Sequence, residues 1–478
     1  MIQSKYKDNY KMYPLSMEIF SDTTTPINVL KTLSEVSNNF YLLESVENEE
    51  SIGRYSFLGF DPILNIKYKT RLTTVTQGKD IKTLDSDPIE ILREYVEEYK
   101  SPSLKELPPF TGGFVGYMSY EMINYAEPKL KLPINMYSDF ELHLFDKVIA
   151  FDNLKKKIIV IVNVKLDNLE ENYKKAQLEI ENIVKLIKSN KACCTPSSNT
   201  TVQFNSNLTE EKFFDMVKVA KDYILNGDIF QVVLSRRFEA EFNGSLIDAY
   251  RVLRVNNPSP YMYFIQSDNL QICGASPETL VKVVDNKVTT FPVAGTRPRG
   301  KTTQEDKDYE ISLLNDEKEL AEHNMLVDLA RNDIGKVSEF GSVNVDEYLQ
   351  IHRYSRVMHI ASVVTGHLKK GYDAFNAINS LLPAGTLSGA PKFRACEIIA
   401  ELEGTARGIY GGAIGYIDLS GNLDMCIAIR TAISDGNKVY VQAGAGIVHD
   451  SVAELEYIEC SNKASAVISA ITNAHTIL

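Results

Sequence analysis

GGAIGYIDLSGNLDMCIAIRTAISDGNKVYVQAGAG (residues 411–446) holds several apolar, alternating runs separated by Ser420-Gly421-Asn422 and Asp435-Gly436-Asn437. Alternation with period two is the mark of a half-buried strand. Short turns rich in Gly and Asn join strands that run antiparallel. Working outward, IFQVVLSRRFEAEF (229–242), YMYFIQ (261–266), LQICGA (270–275) and LVKVVDNKVTTFPV (280–293) read the same way, the last folded at Asp285-Asn286. LTEEKFFDMVKVAKDYILNG (208–227) reads as a capped amphipathic helix stopping at Gly227, and residues 306–335 and 453–472 read as helices. The fold class is therefore α/β (α+β): large, mostly antiparallel sheets packed with helices, not a doubly wound parallel sheet.

Toward the N-terminus, KKKIIVIVNVKL (155–166) reads as a strand and the Lys- and Glu-rich stretch after it as a helix. KACCTPSSNTTVQFN (191–205) has no periodicity and reads as a linker and domain boundary, which divides the chain into an N-terminal α/β domain, 1–190, and a larger C-terminal domain, 206–478. The chain has 478 residues and a formal net charge of −12, with 25 Tyr, 20 Phe and no Trp. This acidity argues against wrapping nucleic acid. MIQSKYKDNYKMYPL lacks the apolar core of a signal peptide, and the apolar run Ile158–Val164 is too short to span a bilayer. Six Cys without paired spacing fit a reducing, cytoplasmic setting and suggest no zinc site.

Four constellations carry chemistry. Glu319 and Glu322 lie three apart on one predicted helix, and Glu456 and Glu459 three apart on another. Residues so spaced share a helix face. Either pair alone fits a solvated acidic face; four carboxylates facing one site would need a cation between them, and an oxygen-only set suits Mg²⁺. Second, Gly295-x4-Gly300-Lys301-Thr302 matches the phosphate-loop pattern, but Arg297, Pro298 and Arg299 crowd it and the neighbouring strands look antiparallel. Third, Arg430 lies in MCIAIRTA, where alternation places it on a sheet face in need of an anion. Tyr410 sits beside Gly411 and Gly412, and Gly444 and Gly446 form a glycine turn after a strand. Fourth, His359 lies among apolar residues, as a core histidine or as an acid or base.

In this order the motifs resemble the chorismate-utilising enzymes, and among them the large subunits of anthranilate synthases. The matching stretches include YLLES (41–45), GDIFQVVLSRR (227–237), NPSPYMYF (257–264), GASPE (274–278), PVAGTRPRG (292–300), DEKELAEHNMLVDLARNDIG (316–335), LLPAGTLSGAPK (381–392), RGIYGGAIGYID (407–418), QAGAGIVHDSV (442–452) and EYIECSNKA (456–464). The resemblance implies conversion of chorismate and ammonia to anthranilate and pyruvate, the committed step toward tryptophan. It implies Mg²⁺ on Glu322 and Glu459, with Glu319 and Glu456 as second carboxylates. Substrate would be held by Gly295, Thr296, Thr386, Tyr410, Arg430, Gly444, Gly446 and Lys463. Glu278 would be the acid that protonates the leaving hydroxyl, and His359 would serve the elimination.

Sister enzymes that add water carry Lys in place of Gln231, and aminodeoxychorismate synthases commonly carry Lys in place of Ala294; both differences point to free ammonia as nucleophile. No GxCxG nucleophile turn is present, which implies a glutamine amidotransferase subunit as partner in a heterotetramer. Leu43, Glu44, Ser45, Pro260, Tyr261 and Met262 match a tryptophan feedback site, Glu44 suiting an α-ammonium and the others an indole. The rival readings are an aminodeoxychorismate synthase, a phosphate-loop nucleotide-binding protein and an idle tryptophan-sensing protein. A chain without Trp can be translated when tryptophan is scarce, which suits an enzyme of that pathway.

Overall fold

The computed structural model describes residues 6–45, 53–189, 202–353 and 357–474. Among them are two twelve-stranded sheets in which every pairing is antiparallel. The first sheet runs from the edge strand Met12–Phe20 through Asn39–Glu44, Tyr261–Ser267 and Lys438–Ile447 to Gln231–Glu241 and Asn205–Ser206. The second runs from Val293–Pro298 through Val357–His367, Leu423–Ile427, Ala413–Asp418 and Gly113–Met118 to Asp80–Leu84. Each sheet joins strands from both halves of the chain. The seams are Tyr261–Ser267 on Asn39–Glu44, and Ala413–Asp418 on Gly113–Met118. Of the expected linker, residues 191–201 lie outside the described residues, and Asn205 already pairs with Glu239.

Strand alternation builds the layers. In Tyr261–Ser267, Tyr263 and Ile265 point into the core between the two sheets, with Tyr117, Ile414 and Cys426 of the other sheet. Met262 and Phe264 point the opposite way, into a core closed by the helices Ile247–Asn256, Leu169–Lys188 and Ala453–Thr472. The second sheet covers its outer face with Pro88–Glu98, Glu317–Gly335 and Ala374–Leu381. The order is helices, sheet, sheet, helices, and strands buried on both faces explain the nearly unbroken apolar runs such as Ile158–Val164.

Local signals behave as read. Thr209 caps the helix Glu210–Leu225 by accepting from the Lys212 amide, and Gly227 stops it at φ +80°. Asp285 and Asn286 both take positive φ, as a tight hairpin turn requires. Two expectations need correction. Residues 306–335 form two helices, Thr303–Leu314 and Glu317–Gly335, because Asp316 caps the second by accepting from the amides of Lys318 and Glu319. Arg430 is not on a strand face: Leu423–Ile427 ends before it and Thr431–Ser434 begins after it.

Candidate active site

Two of the places where the chain passes from one sheet to the other lie side by side. After Leu270–Ser276 it crosses through Pro277 and Glu278 to Thr279–Val284. After Leu423–Ile427 it crosses back through Ala428–Arg430 to Thr431–Ser434. The crossings are tied by the Ile427 amide donating to the Glu278 carbonyl (3.0 Å) and the Ala275 amide to the Arg430 carbonyl (3.2 Å). Arg430 adopts φ +50°, a left-handed conformation costly for a side chain of its size. The crossing thus sets Arg430 where it interacts with Glu278. Its guanidinium has neither a hydrogen bond nor an ion pair with protein among the described residues. Burial pulls its pKa down, which the charge of Glu278 only partly offsets. A half-buried cation in this condition is a receptor for an anion.

Glu278 receives the Thr386 hydroxyl at 2.8 Å, from the turn Gly385–Leu387. Burial raises its carboxyl to about 7, against the opposing pull of the Thr386 hydrogen bond and of Lys463 and Arg430. A carboxyl at that value holds a proton at neutral pH and can give it up. His359, on Val357–His367, places Nδ1 2.9 Å from the Gly295 carbonyl and 3.0 Å from Thr296 Oγ1. Desolvation lowers its pKa, the Gly295 carbonyl opposes, and Arg430 adds to the lowering. Gly295 has φ +68°, and a Cβ there would sit 3.0 Å from Leu313 and 3.1 Å from Glu319 Oε2.

The glycines of Lys438–Ile447 clear space for larger groups. A Cβ on Gly444 would lie 2.9 Å from the Tyr410 hydroxyl, and one on Gly446 2.6 Å from Gln231 Nε2. Gln231 is buried and its Oε1 has no hydrogen-bond partner among the described residues. Lys463 reaches back from the helix Ala453–Thr472 to the Gly444 carbonyl (3.1 Å) and pairs with Glu459 at 2.6 Å. The acidic quartet sits on two facing helices. Burial and then the charge of Glu319 raise the pKa of Glu322, with Glu459 adding to it; burial and Glu459 raise that of Glu456. No three acidic, His or Cys groups converge to ligating distance among the described residues. Glu319 is held by Arg297 at 3.3 Å. As a donor set the quartet still fits Mg²⁺ in kind: it is all oxygen, and Glu322 and Glu456 have no ion pair among the described residues, while Lys463 and Arg297 hold Glu459 and Glu319.

The phosphate-loop resemblance ends here. Val293–Pro298 pairs antiparallel with Val357–His367. The amides of Gly300, Lys301 and Thr302, which would cradle phosphate, are already taken by Asp306 and Glu305 of the helix they open. Cys273 is fully buried and its thiol is pushed up to about 12, so it is no glutaminase nucleophile.

Leu43, Glu44, Ser45, Pro260, Tyr261 and Met262 meet at the seam of the first sheet, around a separate cavity of about 630 Å³ that also reaches Phe291 and Asp424. Tyr261 donates to Asp424 at 2.8 Å. Glu44 differs from its expected role. Its carboxylate is buried and engaged by Arg254 (2.9 and 3.1 Å), Tyr250 (2.7 Å) and Ser56 (3.2 Å), so it is committed within the protein. Arg254, in the helix Ile247–Asn256, had no sequence signal beyond its helical surroundings. Pro277 and Thr279 line this cavity while Glu278 between them is hydrogen-bonded to Thr386, so the two sites share one stretch of chain.

Comparison with known proteins fits this geometry. The family model described as chorismate binding enzyme matches residues 38–469, and the chain belongs to that family. Within it, the chain is 45% identical over 475 residues to anthranilate synthase component 1 of Aquifex aeolicus, covering 98% of this chain and 96% of the relative. It is 45% identical over 482 residues to the protein of the same name from Acetivibrio thermocellus, covering 98% and 97%. The crystal structure of anthranilate synthase component I from Streptococcus pneumoniae superposes with a TM-score of 0.77 at 40% identity, covering 87% of this chain and 92% of that one. A menaquinone-specific isochorismate synthase from Escherichia coli shares the fold at 18% identity and a TM-score of 0.73.

Proposed function

We propose that this chain is component I of an anthranilate synthase, a lyase that converts chorismate and ammonia to anthranilate, pyruvate and water. The observation that carries it is the pairing of an unpartnered, half-buried Arg430 with a Glu278 that holds its proton near neutrality, within the family's fold. Arg430 takes a substrate carboxylate as a fork-shaped donor, with the Tyr410 hydroxyl beside the glycine strand. Ammonia adds at ring carbon two as the hydroxyl departs from carbon four, and Glu278 supplies the proton that makes it water. His359 serves the second stage, in which the proton at carbon two is lost, the enolpyruvyl C–O bond breaks and pyruvate leaves an aromatic ring. Its lowered pKa keeps the imidazole neutral and able to accept a proton. Glu322 and Glu459, with Glu319 and Glu456 behind them, would hold Mg²⁺, which supplies positive charge against the ring carboxylate when bound. Gln231 and Ala294 put no amine at the two positions where the sister enzymes carry a lysine to activate water or attack the ring, which favours ammonia over the sister chemistries.

Ammonia comes from a glutamine amidotransferase subunit, in a cytoplasmic heterotetramer. Tryptophan is proposed as inhibitor in the 630 Å³ cavity, its indole against Pro260, Tyr261 and Met262. No helix among the described residues is long and apolar enough to cross a membrane. The test is product analysis with chorismate, ammonium and Mg²⁺, repeated with tryptophan. Anthranilate and pyruvate should appear in equal amounts and fall with tryptophan. An aminated product without pyruvate would make the chain an aminodeoxychorismate synthase and overturn the reading.

A further inference from the structure

Arg407 is only 4% exposed, in the loop that leads from the helix Lys392–Glu403 to Tyr410. Nε and Nη2 grip the two carboxylate oxygens of Glu403 at 2.9 and 2.6 Å. Nη1 donates to the Leu387 carbonyl at 2.5 Å and Nη2 to the Val233 carbonyl at 2.7 Å. The guanidinium carbon lies 4.8 Å from the centre of the Tyr120 ring and 5.8 Å from that of Tyr410. Glu403 in turn receives the amide and hydroxyl of Ser235, both at 2.8 Å. A buried ion pair contributes little net stability compared with apolar side chains of the same volume, whereas the rigid fork of a guanidinium fixes directions.

The atoms it fixes all lead to the active site. Leu387 follows Thr386, whose hydroxyl holds Glu278. Val233 lies two residues from Gln231 and is registered with Gly446, and Ser235 with Gly444. Tyr410 covers Gly444. We infer that Arg407 is a positioning residue for the reaction: through Leu387, Val233 and Tyr410 it locks the Thr386 turn, the glycine strand and the tyrosine into one geometry, and so sets the Thr386–Glu278 hydrogen bond. This rests on the reading of Glu278 as the acid. A purely structural residue would alter folding without a selective effect on Glu278.

The experiment compares Arg407→Lys, Thr386→Val and the double variant in the full-length chain, with saturating chorismate and ammonium. Lys keeps the charge and loses the fork. A displacement of the order of an ångström costs about a hundredfold in rate, so kcat is expected to fall by about ten- to a hundredfold. The Thr386 hydrogen bond pulls Glu278 down, so loosening it should move the alkaline limb of kcat, taken relative to wild type, to higher pH. Thr386→Val should do the same, and the double variant should add nothing further. A folded Arg407→Lys with wild-type kcat and limb, or single effects that simply add, would overturn the proposal. If Arg407→Lys does not fold, Glu403→Gln replaces it. That variant keeps the guanidinium and removes half its ion pair; the same shift is expected, and an unchanged limb overturns the proposal. Glu278→Gln is run in parallel. A limb that persists in it defeats the acid assignment, and the positioning role then stands or falls on non-additivity of kcat alone.

Discussion

Replacing Glu278 with Gln should cut turnover by orders of magnitude and stabilise the protein above neutral pH, two opposite effects from one cause. The wild-type carboxyl is raised by burial to about 7 from the ordinary glutamate value of 4.5. Below pH 4.5 the folded and unfolded chains both hold the proton. Between 4.5 and 7 only the folded chain does. Above 7 the folded chain also carries an ionised carboxylate in its cleft. Stability is therefore full below pH 4.5 and lost as pH rises to 7. The shift corresponds to at most about 3 kcal/mol at pH 8, an upper bound because part of the side chain faces the cleft. Gln has the same shape, and its Oε1 can still accept from Thr386, but it does not titrate. The assay is the thermal midpoint of both proteins at pH 5 and pH 8, beside anthranilate formation. Glu278→Gln should gain on wild type at pH 8 and not at pH 5, and lose about a hundred- to ten-thousandfold in turnover, the range of a positioned acid. Equal midpoints at pH 8, or turnover within tenfold of wild type, would refute the account of how this carboxyl is held.

Other sites give further expectations. Glu322→Gln removes a carboxyl repelled by Glu319 and Glu459; it should raise the Mg²⁺ concentration needed for half-maximal activity while raising the metal-free thermal midpoint, both read by titration against EDTA-treated protein. Gly446→Ala forces the new Cβ against Gln231 Nε2 and should weaken transition-state binding by about 1–3 kcal/mol, as overpacking does, with circular dichroism unchanged. Arg254→Met leaves the buried Glu44 carboxylate without its cation and should cost about 3–5 kcal/mol in stability by denaturant titration. Adding Glu44→Gln should return much of that loss.

Much of this architecture was legible because the relevant signals are local. The turns at Asp285-Asn286 and Gly421 demand positive φ, and the alternation of Tyr261–Ser267 sends odd and even residues to different cores. What was not legible depends on contacts distant in sequence. Arg254 lies 210 residues from Glu44, so nothing near YLLES tells that its carboxylate is already spoken for. The seams that merge both halves of the chain into each sheet are likewise invisible to a reading that sees only a polar interruption near residue 191. Arg430 was misplaced for a different reason: MCIAIRTA has strand composition throughout, and only the crossing between sheets breaks it. Glu403 and Arg407, the latter opening RGIYGG, stand four apart, and that spacing alone does not separate a surface ion pair from a buried one.

Several of the chain's unsatisfied groups gather around the two crossings between the sheets. Glu44 with Arg254, Glu403 with Arg407, and Asp333 with Lys336 and Lys392 are buried or half-buried charges whose partners are within hydrogen-bonding reach. In the cleft the opposite holds. Arg430 has a strained backbone and no partnered anion. Gln231 buries an oxygen with no hydrogen-bond partner among the described residues. Glu278 keeps a proton that its solvated form would lose, and Glu322 faces two other carboxylates. Two of these groups lack what a small dianion with a divalent cation would bring: an anion for Arg430, a cation for Glu322. A protein of net charge −12 does not draw a dicarboxylate by its overall field. On the proposed reading, capture falls to those few side chains, whose unmet interactions the ligand and its metal would satisfy.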